Sequence, residues 1–484
     1  MAKKFMVAAV IMVILSLLIV PLGYAQEPAE DHPLKGQSIE MSIVGIGGWL
    51  PSRLGVDMSP LFAEYAKENY GYDVTFTFQE APFSALFQKA AASLATKSQE
   101  YNLIISDSQW LGAFAEPGWI VNISDLIKEN PELDIEWYDP VVVNSYMTYP
   151  DGSDQLWGLP EEGDVIVLYV RQDLFSNPDE MAAFTDKYGW DLPQTFADWE
   201  AVTMTKFMDI AEFFTRPDDN IWGTALEYQK EYDFMTMYLY PFMFSLGGEI
   251  WNPETREIYG VLNSEVNAKA LEWNREMLKF QPPGALNYGI SETVDAFTQG
   301  KLATAFMWAA LGASMIPEEY KDKVIVVPPP MFEREDGTTA RIYSIGGQPW
   351  VINAYNDDAH MRVAIDFLKW WYKPETQLEY AKRGGNPTDK ATLTMEGFDD
   401  VNPWNPAYKY MLTTEHARDF WHEPQYSELL AAQQEGWTAF ATGQVNDAAN
   451  TMEWIACEQQ KIMFEGGRSE VAPPDSCKDV KLDK

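Results

Sequence analysis

Asn102-Leu103-Ile104-Ile105-Ser106-Asp107 sets three consecutive apolar residues between polar neighbours, the pattern of a short strand buried on both faces. Before it, residues 83–97 read as a helix, and Val74, Phe76 and Phe78 alternate as a strand does. Further back, a helical stretch at 57–69 stops at Gly71, and Ile39, Met41 and Ile43 alternate again. Strand, helix, strand, helix, strand opens a parallel α/β sheet. Ligands of such sheets bind beyond the carboxyl ends of the strands. Those ends fall at 45–50, 79–82 and 106–110.

Downstream the pattern changes. Trp157-Gly158-Leu159-Pro160 leads into Val165-Ile166-Val167-Leu168-Tyr169, another apolar strand, and helical patterns then run to about residue 310. The clearest helix starts at Ser264, a good N-cap, and stops at Pro282-Pro283-Gly284. Its stripe of Val266, Ala270, Trp273, Met277 and Phe280 is core packing and not a cofactor site. A strand at 324–327 meets three prolines, residues 341–353 form another extended segment, and 358–372 form a helix before Pro374. Neither a tandem repeat nor a low-complexity block occurs.

Composition narrows the function classes. Lys3 and Lys4 precede an apolar run over residues 5–20, Pro21 breaks it, and Gly23-Tyr24-Ala25 offers a small-x-small cleavage pattern. A signal peptide spanning residues 1–25 is expected, cut after Ala25, with an uncleaved membrane anchor as the alternative. No cysteine follows the run, which argues against a lipid-anchored form. The 484 residues suggest two domains. With 73 acidic against 35 basic residues the net charge is −38, which repels phosphate backbones and anionic leaflets, so no nucleic-acid or membrane-surface partner is expected. Cys457 and Cys477 are the only cysteines, and in an exported protein a disulfide between them would clip the tail onto the last helix. The loop entropy of such a bridge is worth about 3 kcal/mol. The four histidines, His32, His360, His416 and His422, do not share a helix face, so neither a zinc site nor any other cofactor is expected.

Several phrases in fixed order resemble extracellular solute-binding proteins of family 1, the maltose-binding-protein group of ABC-importer receptors. Residues 102–107 with Ala115-Glu116-Pro117-Gly118 are similar to that family's third strand and following helix. Trp157-Gly158-Leu159-Pro160, with Tyr169 and Asp173-Leu174-Phe175, is similar to its first crossing between lobes. Residues 192–199 resemble its P-x-T-W-x-E helix start, with Phe196 in place of the usual Trp. Ala296-Phe297, Gly300-Lys301-Leu302-Ala303, Gly346-Gly347 and Gly384-Gly385-Asn386-Pro387-Thr388 complete the order. The resemblance implies a two-lobe periplasmic-binding-protein fold of type II, α/β in both lobes, with a ligand cleft at the hinge. It implies an N-terminal lobe of 37–147 plus 328–386 and a C-terminal lobe of 148–327 plus 387–484. It further implies a periplasmic monomer, not an enzyme, that captures a sugar or polyol and passes it to ABC permease subunits.

A sugar site needs carboxylates and amides for hydroxyls and flat aromatics for the CH face of the ring. Carried over onto this sequence, the family pattern points to Trp49 after the first strand, Glu80 after the second, and Ser106, Asp107, Gln109 and Trp110 after the third. It adds Glu161, Glu162 and Asp164 beyond Pro160, Tyr240 before Gly247-Gly248, and Trp308 at a strand end. Gly346, Gly347 and Trp350 on the returning segment, with Arg383 and Asn386 at the last crossing, complete the expected set. Each has a structural reading beside the functional one: Trp110 and Trp308 as core, Asp107 as a helix cap, Glu161 and Glu162 as rim charges, Arg383 as an ion-pair partner. Three alternatives stay open. One is a secreted glycoside hydrolase using a carboxylate pair such as Asp107 and Asp164. Another is the same fold holding a polyamine or other cation in an aromatic cage. The third is an interaction protein without small-molecule cargo, such as a sensor's partner.

Overall fold

Leu103, Ile104 and Ile105 form the middle strand of the first of two main sheets, and all three are fully buried, as an unbroken apolar triplet requires. The structure is a computed structural model, and it describes residues 32–482. The expected signal segment, residues 1–25, lies outside the described residues. In chain order the first strands are β1 (Ser38–Ile46), β2 (Asp73–Ala81), β3 (Leu103–Ile105), β4 (Leu159–Pro160), β5 (Asp164–Arg171) and β6 (Thr304–Trp308). Then come β7 (Val324–Val327), β8 (Phe332–Glu333), β9 (Thr339–Ala340), β10 (Tyr343–Gly346), β11 (Pro349–Ile352) and β12 (Ala417–Arg418).

The first sheet runs β2-β1-β3-β11-β4. Its β1, β2 and β3 are parallel, as the alternation of strand and helix predicts, whereas β11 returns antiparallel to β3 and β4. Helices Ser59–Asn69, Phe83–Ala95 and Asp358–Trp371 pack on it. The second sheet runs β12-β10-β5-β6, with β7 also paired to β5. It is centred on the fully buried run from Asp164 to Val170 and covered by helices Thr236–Leu246 and Asn405–Met411. Ser264 caps helix Glu265–Met277 as its side chain predicts. Cys457 on helix Ala448–Glu465 is joined to Cys477 in the tail. Among the described residues no helix is long and apolar enough to cross a membrane.

Two lobe boundaries differ from expectation. Residues 148–160 stay with the first sheet, where Leu159 and Pro160 pair with Trp350 and Pro349. The stretch at 341–353 is not one strand but two: β10 pairs with Asp164 and Val165 of the second sheet, and β11 pairs with β3 of the first. The division falls at Gly347, whose φ of +101° is open to glycine and costly to other residues. The chain therefore crosses between sheets at 161–163, at 347–348 and near 386. These crossings are tied together. The Glu161 and Glu162 amides donate to the Gln348 carbonyl at 2.7 and 3.2 Å, and the Gly163 amide donates to the Asn386 carbonyl at 3.0 Å.

A methyl group at Gly347 would sit 2.7 Å from the Glu162 carbonyl oxygen and 2.8 Å from the Tyr146 hydroxyl. Gly347→Ala therefore combines left-handed backbone strain with a contact to neighbouring backbone, about 2 kcal/mol together. The thermal midpoint, followed by circular dichroism, is expected to fall by about 4–8 °C. An unchanged midpoint would mean that the crossing relaxes freely.

Candidate functional site

The crossings floor a narrow cleft between the two sheets, with a cavity volume of about 40 Å³ in this structure. The first sheet's side supplies Trp49, Phe83, Asp107 and Ser108. The second supplies Asp233, Phe234, Met237, Ile290, Trp308 and Phe420. Asp164, Gly346, Gly347 and Gln348 form the floor.

Local sequence fixes these positions. Asp107 follows β3 and caps the turn at 108–110, accepting from the Gln109 amide at 3.4 Å. Asp164 opens β5, and its Oδ1 accepts from the Val165 amide at 2.9 Å and the Ala310 amide at 3.0 Å. Trp308 ends β6, and its ring lies so close to Gly346 that a methyl there would be 2.7 Å from it. Only glycine leaves room for that ring.

Contacts across the cleft are direct, so the two lobes are shut in this structure. The Tyr232 hydroxyl donates to Asp107 Oδ2 at 2.7 Å, and Gln109 Nε2 donates to Asp233 Oδ2 at 3.0 Å. Phe83 packs edge-on against Tyr232 at 4.5 Å. Tyr232 itself has a φ of 49°, a backbone cost borne where the loop reaches across. Away from the cleft, Arg468 joins Glu116 on the first lobe to Glu423 on the second, each at 2.6 Å. His422 lies between Asp151 at 2.6 Å and Asp419 at 3.3 Å.

Burial dominates the electrostatics. Loss of water pushes the Asp107 carboxyl up to about 6, with Asp419 adding to the rise while hydrogen bonds from Tyr232 and Gln109 hold it down. Asp164 is raised well above its ordinary value by burial, against the pull of its backbone amides. Asp233 is raised by burial and then by Asp107. Glu162 is raised by burial and then by Asp164 and Glu161. Its Oε1 accepts from the Trp49 indole at 2.6 Å, which places it directly behind a ring of the cleft wall. Glu162 Oε2, both oxygens of Glu161 and Gln109 Oε1 are buried without a hydrogen-bond partner.

Of the expected residues, Trp49, Asp107, Asp164, Trp308, Gly346 and Gly347 meet in this cleft. Gln109 bridges to Asp233 behind it, and Glu161 and Glu162 are buried at the first crossing and not rim charges. The others lie elsewhere. Trp110 packs among Phe87, Phe114 and Tyr232, and Trp350 packs on Phe367 and Trp371 in the first core. Tyr240 is core in the second lobe, against Trp437 and Phe420. These three are buried among other rings. Glu80 is exposed beside Arg53, and Arg383 is exposed and paired with Glu379. Ser106 is buried with its amide bonded to Pro349, and the Asn386 side chain accepts from the Trp404 indole. Phe83, Ser108, Asp233, Phe234, Met237, Ile290, Gln348 and Phe420 line the cleft without having been expected. Phe83 directly follows the named strand end at 79–82, a signal that pointed to it. Asp233-Phe234 sits in an irregular loop with no such signal.

Residues 53–378 match the family described as bacterial extracellular solute-binding protein, most of the chain. The chain belongs to that family. Solved structures agree on its fold. An ABC-transporter solute-binding protein from Agrobacterium radiobacter K84, in complex with ribitol, is 21% identical with a TM-score of 0.68, covering 89% of this chain and all of its own. Maltose-bound MalE3 of T. maritima is 19% identical with a TM-score of 0.69, covering 87% of this chain and 98% of its own. A solute-binding protein from Agrobacterium vitis with D-mannitol is 17% identical with a TM-score of 0.64, over 89% and 99%. This solute-binding protein thus has the two-lobe α/β fold expected from its sequence. Among its described residues no group of three or more His, Cys, Asp or Glu is placed to hold a metal ion.

Proposed function

We propose that this chain is the capturing component of an ABC importer, closing its lobes on a sugar or related polyol and handing it to a membrane permease without chemical turnover. The observation that carries this reading is the cleft at the crossings, where acceptor carboxylates and aromatic rings come from both lobes. Acceptors suit ring hydroxyls and flat rings suit a CH face. Ligand contact by Trp49, Asp107, Asp164, Asp233 and Trp308 follows from this reading. So does a working division into 37–160 plus 347–386 and 164–346 plus 387–484, with the crossings as hinge, in which a ligand touching both lobes favours the shut state. An exported, periplasmic monomer that meets its permease when shut fits the family, and ribitol, mannitol and maltose are what the structural relatives hold.

A ligand that binds only the folded state raises the melting temperature. Screening a panel of sugars and polyols, free or amino-substituted, is expected to give an upward shift with at least one. Mass spectrometry of what co-purifies would identify it. If no sugar or polyol shifts the melt while peptides, hydroxyl-free amines or metal ions tested beside them do, the reading is overturned.

A further inference from the structure

Six carboxylates are at least nine-tenths buried here: Asp107, Asp164 and Asp233 line the cleft, Glu162 stands behind its Trp49 wall, Glu161 adjoins Glu162 at the first crossing, and Glu227 lies toward Asp233. Among the described residues no Lys, Arg or His lines this cleft. Among the described residues no ion pair involves any of the six. Other buried acids here are compensated: Asp366 lies 3.1 Å from both His32 and Arg362, and Glu423 lies 2.6 Å from Arg468 and 3.1 Å from Arg256. Asp389, away from the cleft, caps a helix. Among the described residues the buried acids without an ion pair are thus these six and Asp389.

Burying carboxylates without a partner is expensive, and the groups respond by taking up protons. A neutral sugar accepts and donates hydrogen bonds but offers no charge to offset that cost. A protonated amine offsets it, forms charge-assisted bonds to carboxylates, and is attracted to ring faces. Five rings, Trp49, Phe83, Phe234, Trp308 and Phe420, surround the same space. A bare metal ion does not fit, since the acids are not gathered into a coordinating group.

We infer that the captured solute carries a protonated amino group among its hydroxyls, as an amino sugar or amino polyol does, and that the cleft acids form its counter-charge. The inference rests on the solute-capture reading above and names the chemistry of its ligand. Isothermal titration of the wild-type protein at neutral pH tests it with matched sets: a neutral sugar or polyol, its amino-deoxy counterpart, and the N-acetylated form of that amine. The amino member of at least one set is expected to bind tenfold or more tighter than both neutral members. A neutral member that binds as tightly as its amino counterpart overturns the inference and leaves sugar capture standing. A linear polyamine is titrated beside the sets, and its tight binding with no hydroxylated amine bound overturns the hydroxyl part and with it the proposal. If no member of any set binds, this inference and the sugar reading fall together.

Discussion

Asp164→Asn is expected to weaken binding of the captured solute by roughly 10- to 150-fold while leaving the unliganded fold at least as stable as wild type. The two halves of this expectation come from different atoms of one side chain. Oδ1 accepts from the Val165 and Ala310 amides, and an asparagine oxygen keeps both bonds. The change therefore does not unpick the start of β5. The other oxygen serves the cleft, where the substitution removes charge and replaces an acceptor by a donor. Charge-assisted bonds are worth about 1.5–3 kcal/mol, which gives the range stated. The carboxylate is fully buried and its protonation is favoured by that burial, so the neutral amide relieves a desolvation cost and does not add one. Glu80→Gln is the control, since that side chain is exposed beside Arg53 and outside the cleft. Titration calorimetry with the identified solute and a thermal melt without it separate the two halves. Wild-type affinity in Asp164→Asn would remove this residue from the site.

The sheets were legible in the sequence because burial leaves a period. The triplet at 103–105, the alternation in β1 and β2 and the continuous run of β5 each announce a strand without any tertiary information. The places where that legibility failed share one cause. Residues 341–353 carry one uninterrupted extended pattern, yet β10 and β11 belong to different sheets. Periodicity reports that a backbone is extended and not which sheet it joins. Gly347 marks the break, but a glycine pair is equally consistent with a turn inside one lobe. The site divides the same way. Asp107 and Trp308 lie at the carboxyl ends of β3 and β6, where topology sends ligands, Asp164 lies at the amino end of β5, and all three line the cleft. Trp110, Tyr240 and Trp350 carry the same residue chemistry close to the same landmarks and are core. What separates them is which side of the backbone faces the seam, a property settled by packing between segments far apart in sequence. Asp233 and Phe420 come from irregular loops, where neither period nor strand end offers a signal. Both line the cleft with the lobes shut.

That shutting should respond to protons. Without any solute, lowering the pH from 7.5 to 5.0 is expected to shift the protein toward the closed arrangement, read as a fall in the radius of gyration by solution X-ray scattering. In the closed form burial raises the Asp107 carboxyl to about 6 from an ordinary value of 3.8, and exposure to water on opening is expected to return it to that value. The closed state thus binds more protons than the open one in this window. A group raised in this way stabilises the closed state fully below its open-state value, and that stabilisation is lost as the pH climbs through the closed-state value. Between pH 7.5 and 5.0 Asp107 alone contributes about 1.4 kcal/mol, a tenfold change in the closed-to-open ratio. The groups facing it include Asp233, Asp419, Glu162, Tyr232, Tyr426, Gln109 and Ser108. Asp233 is itself raised by burial and by Asp107, so it acts with the same sign. His422 adds to the effect: burial opposes its charge, but Asp151 on one lobe and Asp419 on the other overcome that and raise it, and its protonated ring ties the two lobes. His32 and His416 are lowered by burial and oppose folding on acidification. Each is bonded within a single lobe, to Asp366 and to the Arg341 carbonyl, so neither separates open from closed. Asp107→Asn should flatten the profile by the tenfold assigned to it, and what slope remains belongs to Asp233 and His422. A radius that stays constant or grows on acidification would mean that the cleft acids already carry their protons with the lobes apart, and that closure does not bury them any further.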